Sequence, residues 1–208
     1  MVLVTGGAGG IGQSICRAFS SEGARVVVHY NESKEEAISL SKEIGGTAMQ
    51  ADLRSQKSAD RLVDEIVSKH GSLDVCIANA GSYPVDSKPL WEIESERWSE
   101  TISSNLGVTV NTSRSFLRHA SKSRSGSLVM VGSTAGVYGE AGHSDYAAAK
   151  GAITSGLLLS LKNDVSEIGG VRVNAVAPGW TITQKKVEQG IDDSLVERAT
   201  ATMSLKKL

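Results

Sequence analysis

"TGGAGGIG", Thr5–Gly12, lies just behind the first residue of this 208-residue chain. Its glycines satisfy two nucleotide-binding spacings at once. Gly6, Gly10 and Gly12 fit one, and Gly6, Gly9 and Gly12 fit the other. The two spacings occur in enzymes of different size and chemistry, so the register matters. The setting is the same for both. The octet follows a short apolar run, "VLVT" at 2–5, and opens a segment in which Ile11, Ile15, Ala18 and Phe19 recur at helical spacing. Glycines between strand and helix let the backbone turn tightly and approach a pyrophosphate, whose charge then rests on the helix N-terminus. A glycine-rich turn without a ligand is the plainer alternative, and the strand–loop–helix setting favours the phosphate cradle.

Beyond this loop, short apolar runs alternate with helical patterns. "RVVVHY" (25–30), "TAMQ" (47–50), "LDVCIA" (73–78), "SLVMVGS" (127–133) and "VRVNAVA" (171–177) have the character of buried strands. Ala59, Leu62, Val63, Ile66 and Val67 mark a helix between two of them, and Gly23, Gly45 and Gly71 stand where helices should stop. Uniformly apolar strands separated by helices imply a parallel sheet covered on both faces: a doubly wound α/β (Rossmann) fold, one domain over 1–208. Ligands of such sheets sit beyond the carboxyl ends of the strands.

The bulk composition excludes several classes. A formal net charge of −1 offers no electrostatic case for nucleic acid or an anionic membrane surface. No apolar run reaches the roughly 18 residues of a membrane span, and no basic segment precedes an apolar stretch at the N-terminus. A cytoplasmic protein is expected. The two cysteines, Cys16 and Cys76, sit inside apolar patterns and are expected to be buried free thiols. His29, His70 and His119 have no carboxylate or cysteine at ligand spacing, so no metal site is expected.

The second strand ends in "VVVHYNES", with Tyr30 where an NAD-preferring site usually places a carboxylate and Asn31 after it. Nothing there repels a 2′-phosphate, and Ser33 and Lys34 are close enough to help bind one. NADP is therefore preferred over NAD, with both open. In "ADLRS" after the third strand, Asp52, followed by Leu53, either accepts a bond from an adenine amino group or helps cap the next helix. "SDYAAAK" sets Tyr146 and Lys150 four residues apart, one helical turn, on the same face. A phenol of ordinary pKa about 10 is a poor acid–base catalyst at neutral pH, and a neighbouring ammonium or an oxidised nicotinamide favours its phenolate. Ser133, in "VGSTAG", stands at the carboxyl end of a predicted strand. His143 near Tyr146 suggests a Ser–His hydrolase, but the nucleophile elbow is absent around Ser133, and a polar loop histidine is the better reading. Tyr83, Trp91 and Trp98 are expected to be packing residues, and Tyr138 is expected to touch a substrate.

With "NAG" (Asn79 to Gly81), "SNLG" around Asn105 and "VNAVAPG" (Val173 to Gly179) added to the glycine loop, "GSTAG" and "YAAAK", the chain carries six ordered motifs. The sequence resembles the short-chain dehydrogenase/reductase family, in its compact single-domain branch, from about residue 2 to about 205. The larger epimerase-like branch adds a substrate domain for which there is no room, so Gly6, Gly10 and Gly12 are the intended glycines. The resemblance implies that Tyr146 exchanges a proton with the substrate oxygen while hydride passes between nicotinamide and substrate carbon. It also implies that Ser133 holds that oxygen, that Lys150 binds the nicotinamide ribose and lowers the pKa of Tyr146, and that Asn105 supports a water-linked proton relay. Ile11 would join the glycines at the cofactor. Asn79, Ala80 and Gly81 would line the adenosine ribose and cleft floor, and Pro178, Gly179, Thr181 and Thr183 the nicotinamide amide and diphosphate. Thr181 departs from the family's usual aliphatic residue.

Within the family, "VVVHYNES", "YAAAK" and "RVNAVAPG" are similar to 3-oxoacyl-acyl-carrier-protein reductases. That implies a carbonyl reductase of fatty acid biosynthesis acting on a small carbonyl or alcohol substrate, a thioester among the candidates. A sugar or polyol dehydrogenase, or a nucleotide-binding regulatory protein without turnover, remain the alternatives. Residues 184–203 would form a lid. The family continues through another helix and a seventh strand, both of which this sequence is expected to lack. The helix carrying Tyr146 is apolar almost all round, through Ile153, Leu157, Leu158, Leu159 and Leu161, so a homodimer or homotetramer is expected to cover it.

Overall fold

The computed structural model describes residues 1–183 together with Val187, Gly190, Val196, Glu197 and Thr200. Apart from these last few positions, the lid expected over 184–203 lies outside the described residues. Six strands, β1 (Val2–Val4), β2 (Val26–Tyr30), β3 (Thr47–Gln50), β4 (Val75–Ala78), β5 (Gly126–Val131) and β6 (Val171–Val176), form one sheet in the order β3-β2-β1-β4-β5-β6. Every pairing is parallel, with Val2 opposite both Val26 and Val75 and Gly126 opposite Val171. This is the expected doubly wound α/β architecture. The order reverses between β1 and β4, which opens a crevice at their carboxyl ends.

Side chains alternate along each strand, and both faces are covered. Leu3, Val27, Cys76, Leu128, Met130 and Val173 join a core with α3 (Gln56–His70), α5 (Val108–Ser123), the helix that carries Ile153, and Val165 at that helix's C-cap. Val2, Val4, Val26, Val28, Ile77 and Val131 pack with α1 (Gly10–Ser21) and α2 (Lys34–Glu43). Helix α3 shows how local chemistry sets such a layer. Ser55 caps it by accepting the Ser58 N–H, its buried stripe is Ala59, Leu62, Val63 and Ile66, and Gly71 ends it at φ 83°. Both cysteines are free and buried.

Two helices change gauge beside the crevice. Helix α4 (Ser95–Ile102) runs through a π turn, Ser103–Gly107, into α5. After the short α6 (Thr134–Tyr138), α7 (Ser144–Gly151) runs through a π turn, Ala152–Leu157, into α8 (Leu158–Asp164). Such turns recur at functional sites because the extra residue redirects neighbouring side chains. Along the second helix Ile153 is buried, and Leu157, Leu158 and Leu161 pack partly on the core. Leu159 stays 50% exposed.

Candidate active site

The carboxyl ends of the strands enclose a cleft of about 620 Å³. The expected catalytic residues and cofactor contacts line it apart from Thr181, whose hydroxyl turns back to donate to the Gly179 carbonyl at 3.1 Å; Lys34, expected near a 2′-phosphate, and Tyr138, expected to touch a substrate, do not line it either.

The glycine loop explains its own register. Gly6 has φ +60°, a conformation that disfavours other residues. A Cβ on Gly12 would stand 2.2 Å from the Gly6 carbonyl oxygen, so only glycine lets α1 pack against the turn. A Cβ on Gly10 would strike the Thr183 side chain at 2.4 Å across the cleft, whereas one on Gly9 would meet only the Gly6 oxygen, at 3.3 Å. Thr5 and Asn79 tie the loop to the end of β4. The Thr5 hydroxyl accepts the N–H groups of Asn79 and Ala80 at 2.9 and 3.0 Å, and the Asn79 amide donates to the carbonyls of Thr5 and Gly6.

At the far end of the cleft, Tyr30 and Asn31 line the wall with Glu32 and Arg54. Asp52 is not the cap of α3, which is Ser55. Instead it pairs with Arg54, whose Nη2 lies 2.9 Å from its Oδ2, and this bond holds the Asp52 carboxyl below its usual range.

Ser133 ends the turn after β5 and caps α6, its hydroxyl accepting the Ala135 N–H at 3.2 Å. Tyr146 and Lys150 project from one face of α7 into the same cleft, with the Lys150 Nζ 5.7 Å from the Tyr146 ring centre. Lys150 is buried and donates to the Val131 carbonyl at 3.0 Å, and burial lowers its pKa to about 8. Burial raises the Tyr146 phenol above its ordinary value; the Ser133 hydroxyl opposes this and the Glu140 carboxylate adds to it. Asn105, in the π turn, is fully buried and donates to the carbonyls of Ser82 and Thr101 at 2.9 and 3.0 Å. Its Oδ1 has no partner, and a Cβ on Gly81 would lie 2.7 Å from that oxygen and 3.3 Å from the Lys150 Nζ.

The family model of short chain dehydrogenases matches residues 1–193. The chain belongs to this family. Among curated relatives, the 3-oxoacyl-acyl-carrier-protein reductase FabG of Thermotoga maritima is 34% identical over 207 residues, covering 96% of this chain and 79% of the relative. The proteins of the same description from Staphylococcus aureus and Chlamydia muridarum are 31% and 32% identical, covering 99% and 93% of this chain and 83% and 77% of their own lengths. This short-chain dehydrogenase is an oxidoreductase acting on CH–OH groups with a nicotinamide dinucleotide. The cleft fits that cofactor, since the cradle beside the turn is left open by glycine at position 10, where a side chain would reach across to Thr183.

Sequence reasoning missed the surroundings of Tyr146. Asp145, 0% exposed, accepts from Arg97 Nε at 2.9 Å, the Thr101 hydroxyl at 3.0 Å and the Tyr146 N–H at 3.0 Å. Burial alone would raise the Asp145 carboxyl, but these donors outweigh it and hold the pKa low. Arg97 also donates to the Asp86 carbonyl at 2.7 Å, so it clasps the loop after "NAG" to α7. His143 stands in the loop just before α7, as expected, but is buried rather than solvated. It is 6% exposed and stacked on Tyr83, with ring centres 4.6 Å apart. Tyr83 meets the Tyr146 ring edge-on at 5.0 Å, and its hydroxyl donates to Glu140 at 2.6 Å. Trp91, expected to pack, is 85% exposed.

Proposed function

We propose that this short-chain dehydrogenase reduces the ketone of 3-oxoacyl thioesters with NADPH, in the manner of the carrier-protein reductases it resembles. The observation that carries the reading is the convergence of Ser133, Tyr146 and Lys150 on one cleft with the glycine turn. When bound, the reduced nicotinamide supplies the hydride that the carbonyl carbon accepts. Ser133 holds the carbonyl oxygen, and Tyr146 gives that oxygen the phenolic proton. Lys150 holds the nicotinamide ribose and, with its positive charge, stabilises the phenolate that results. Asn105 supports return of the proton, its free Oδ1 facing the gap toward Lys150 that glycine at position 81 leaves open.

NADP preference rests on Tyr30 in place of a carboxylate and on the Arg54 guanidinium in the same wall; Glu32 beside them favours the ribose hydroxyls of NAD. A second reading, a sugar or polyol dehydrogenase, is favoured by the polar wall of Tyr83, Glu140 and His143 beside Tyr146. Following NADPH and NADH absorbance with acetoacetyl thioesters, aldoses and simple ketones separates these readings. The proposal expects acetoacetyl thioesters with NADPH to be fastest. Faster turnover of aldoses supports the second reading, and cofactor binding without turnover of any carbonyl overturns both. The assembly proposed is a homodimer or homotetramer joined through α5 and the α7–α8 helix, which would cover Leu159. A stable monomer in sedimentation at micromolar concentration refutes it.

A further inference from the structure

His29, the next-to-last residue of β2, is wedged behind the glycine turn and is 2% exposed. One ring nitrogen, Nδ1, lies 3.1 Å from the backbone nitrogen of Gly6. The other, Nε2, lies 2.9 Å from the carbonyl oxygen of Ala51, just past the end of β3. A backbone amide can only donate and a carbonyl can only accept. The two contacts therefore leave one protonation state that satisfies both: neutral imidazole, with its proton on Nε2 and its lone pair on Nδ1. An imidazolium would set an N–H against the Gly6 N–H.

The bridge spans the cleft's two ends. Gly6 begins the turn that Gly12 packs upon, and its carbonyl is held in its turn by the Gly9 N–H and the Asn79 amide. Ala51 and Asp52 belong to the other wall, where Tyr30 and Arg54 stand. His29 itself lines the cleft between them. The charged group that acts on the ring is Asp52, which is already paired with Arg54.

We infer that His29, as the Nε2–H tautomer, is a positioning residue for the cofactor: it fixes the Gly6 peptide and the spacing between the glycine turn and the end of β3. The inference rests on the cleft's being the nicotinamide dinucleotide site. Burial keeps the ring neutral, lowering its pKa to about 4, so the bridge persists across the physiological range. An apolar residue of similar size would fill the space but leave the Gly6 N–H without its acceptor.

The test compares His29→Leu, which removes both polar atoms, with His29→Asn, whose amide oxygen can stand where Nδ1 stood. NADPH affinity is read by nicotinamide fluorescence and stability by thermal unfolding. The Leu variant is expected to bind NADPH about tenfold more weakly, the scale of one buried hydrogen bond. The Asn variant should recover most of that affinity. Parental affinity in the Leu variant, or equal loss in both variants, overturns the inference; a fall in melting temperature alone would mark a merely structural residue. Long-range proton–nitrogen spectra of the parent read the tautomer directly, whatever the variants do. The chain has four histidines, and the signal missing from His29→Asn identifies the ring. An unprotonated Nδ1 and protonated Nε2 at pH 6 are expected, and a protonated Nδ1 refutes the assignment. A parent that binds neither NADPH nor NADH would count against the site, while the tautomer measurement would still decide the bridge.

Discussion

Replacing Gly12 by alanine adds one methyl carbon, 2.2 Å from the Gly6 oxygen and 2.8 Å from the Gly7 Cα. Both neighbours are backbone, so no side chain can swing aside. Restoring ordinary contact, 3.4 Å or more, requires α1 to retreat from the turn by about an ångström. In a helix, glycine to alanine would ordinarily stabilise by about 1 kcal/mol. Overpacking of this kind costs about 1–3 kcal/mol or more, and here it should win. At about 2–4 °C per kcal/mol for a chain of this size, the melting temperature should fall by several degrees. NADPH affinity should collapse with it, because the turn and the helix N-terminus no longer hold their mutual geometry. Gly10→Ala provides the contrast. Its methyl would meet only the Thr183 side chain at 2.4 Å, so stability should barely move while affinity drops. Circular dichroism melts and fluorescence titrations on both variants decide the matter. A Gly12→Ala protein with parental melting and parental affinity would refute the packing argument.

Arg97→Met leaves the fully buried Asp145 without its cation, and breaking such a pair costs about 3–5 kcal/mol, readable as a lowered denaturation midpoint. Because the Asp145 carboxyl is held low, its contribution in the parent is complete above about pH 4 and is lost as the solution is acidified further. Lys150→Met should stabilise the protein at pH 7 while abolishing turnover. The folded pKa of about 8, against 10.5, means the folded state resists the ammonium by about 3 kcal/mol. Losing the bond to the Val131 carbonyl takes back about 1 kcal/mol. The advantage should shrink between pH 8 and 10.5, as the folded parent sheds its proton; an unchanged difference across that range would contradict the burial argument.

The sheet was legible because each strand is a short apolar run bounded by a glycine or polar turn, and "VLVT", "RVVVHY" and "VRVNAVA" needed no long-range information. The stripe of α3 was equally plain, since 3.6-residue periodicity is a local property. The π turns at Ser103–Gly107 and Ala152–Leu157 left no mark, because helical periodicity runs straight through them. The clasp on Asp145 joins residues 48 apart, and neither Arg97 nor Asp145 has a local signature. His29 looked like a scattered histidine because its two partners are backbone atoms, which every residue carries. His143 and Tyr83 looked ordinary for the same reason: a ring stack between distant loops exists only after folding.

Tyr146 is the group proposed to trade a proton with the substrate. The direct test is the rate of NADPH-dependent carbonyl reduction by Tyr146→Phe, with NADPH binding measured on the same preparation. The phenyl ring keeps its edge contact with Tyr83 and loses only the hydroxyl, so cofactor affinity should stay within about twofold while turnover falls by about a hundredfold or more. Turnover equal to the parent, with the cofactor bound, would contradict the assignment.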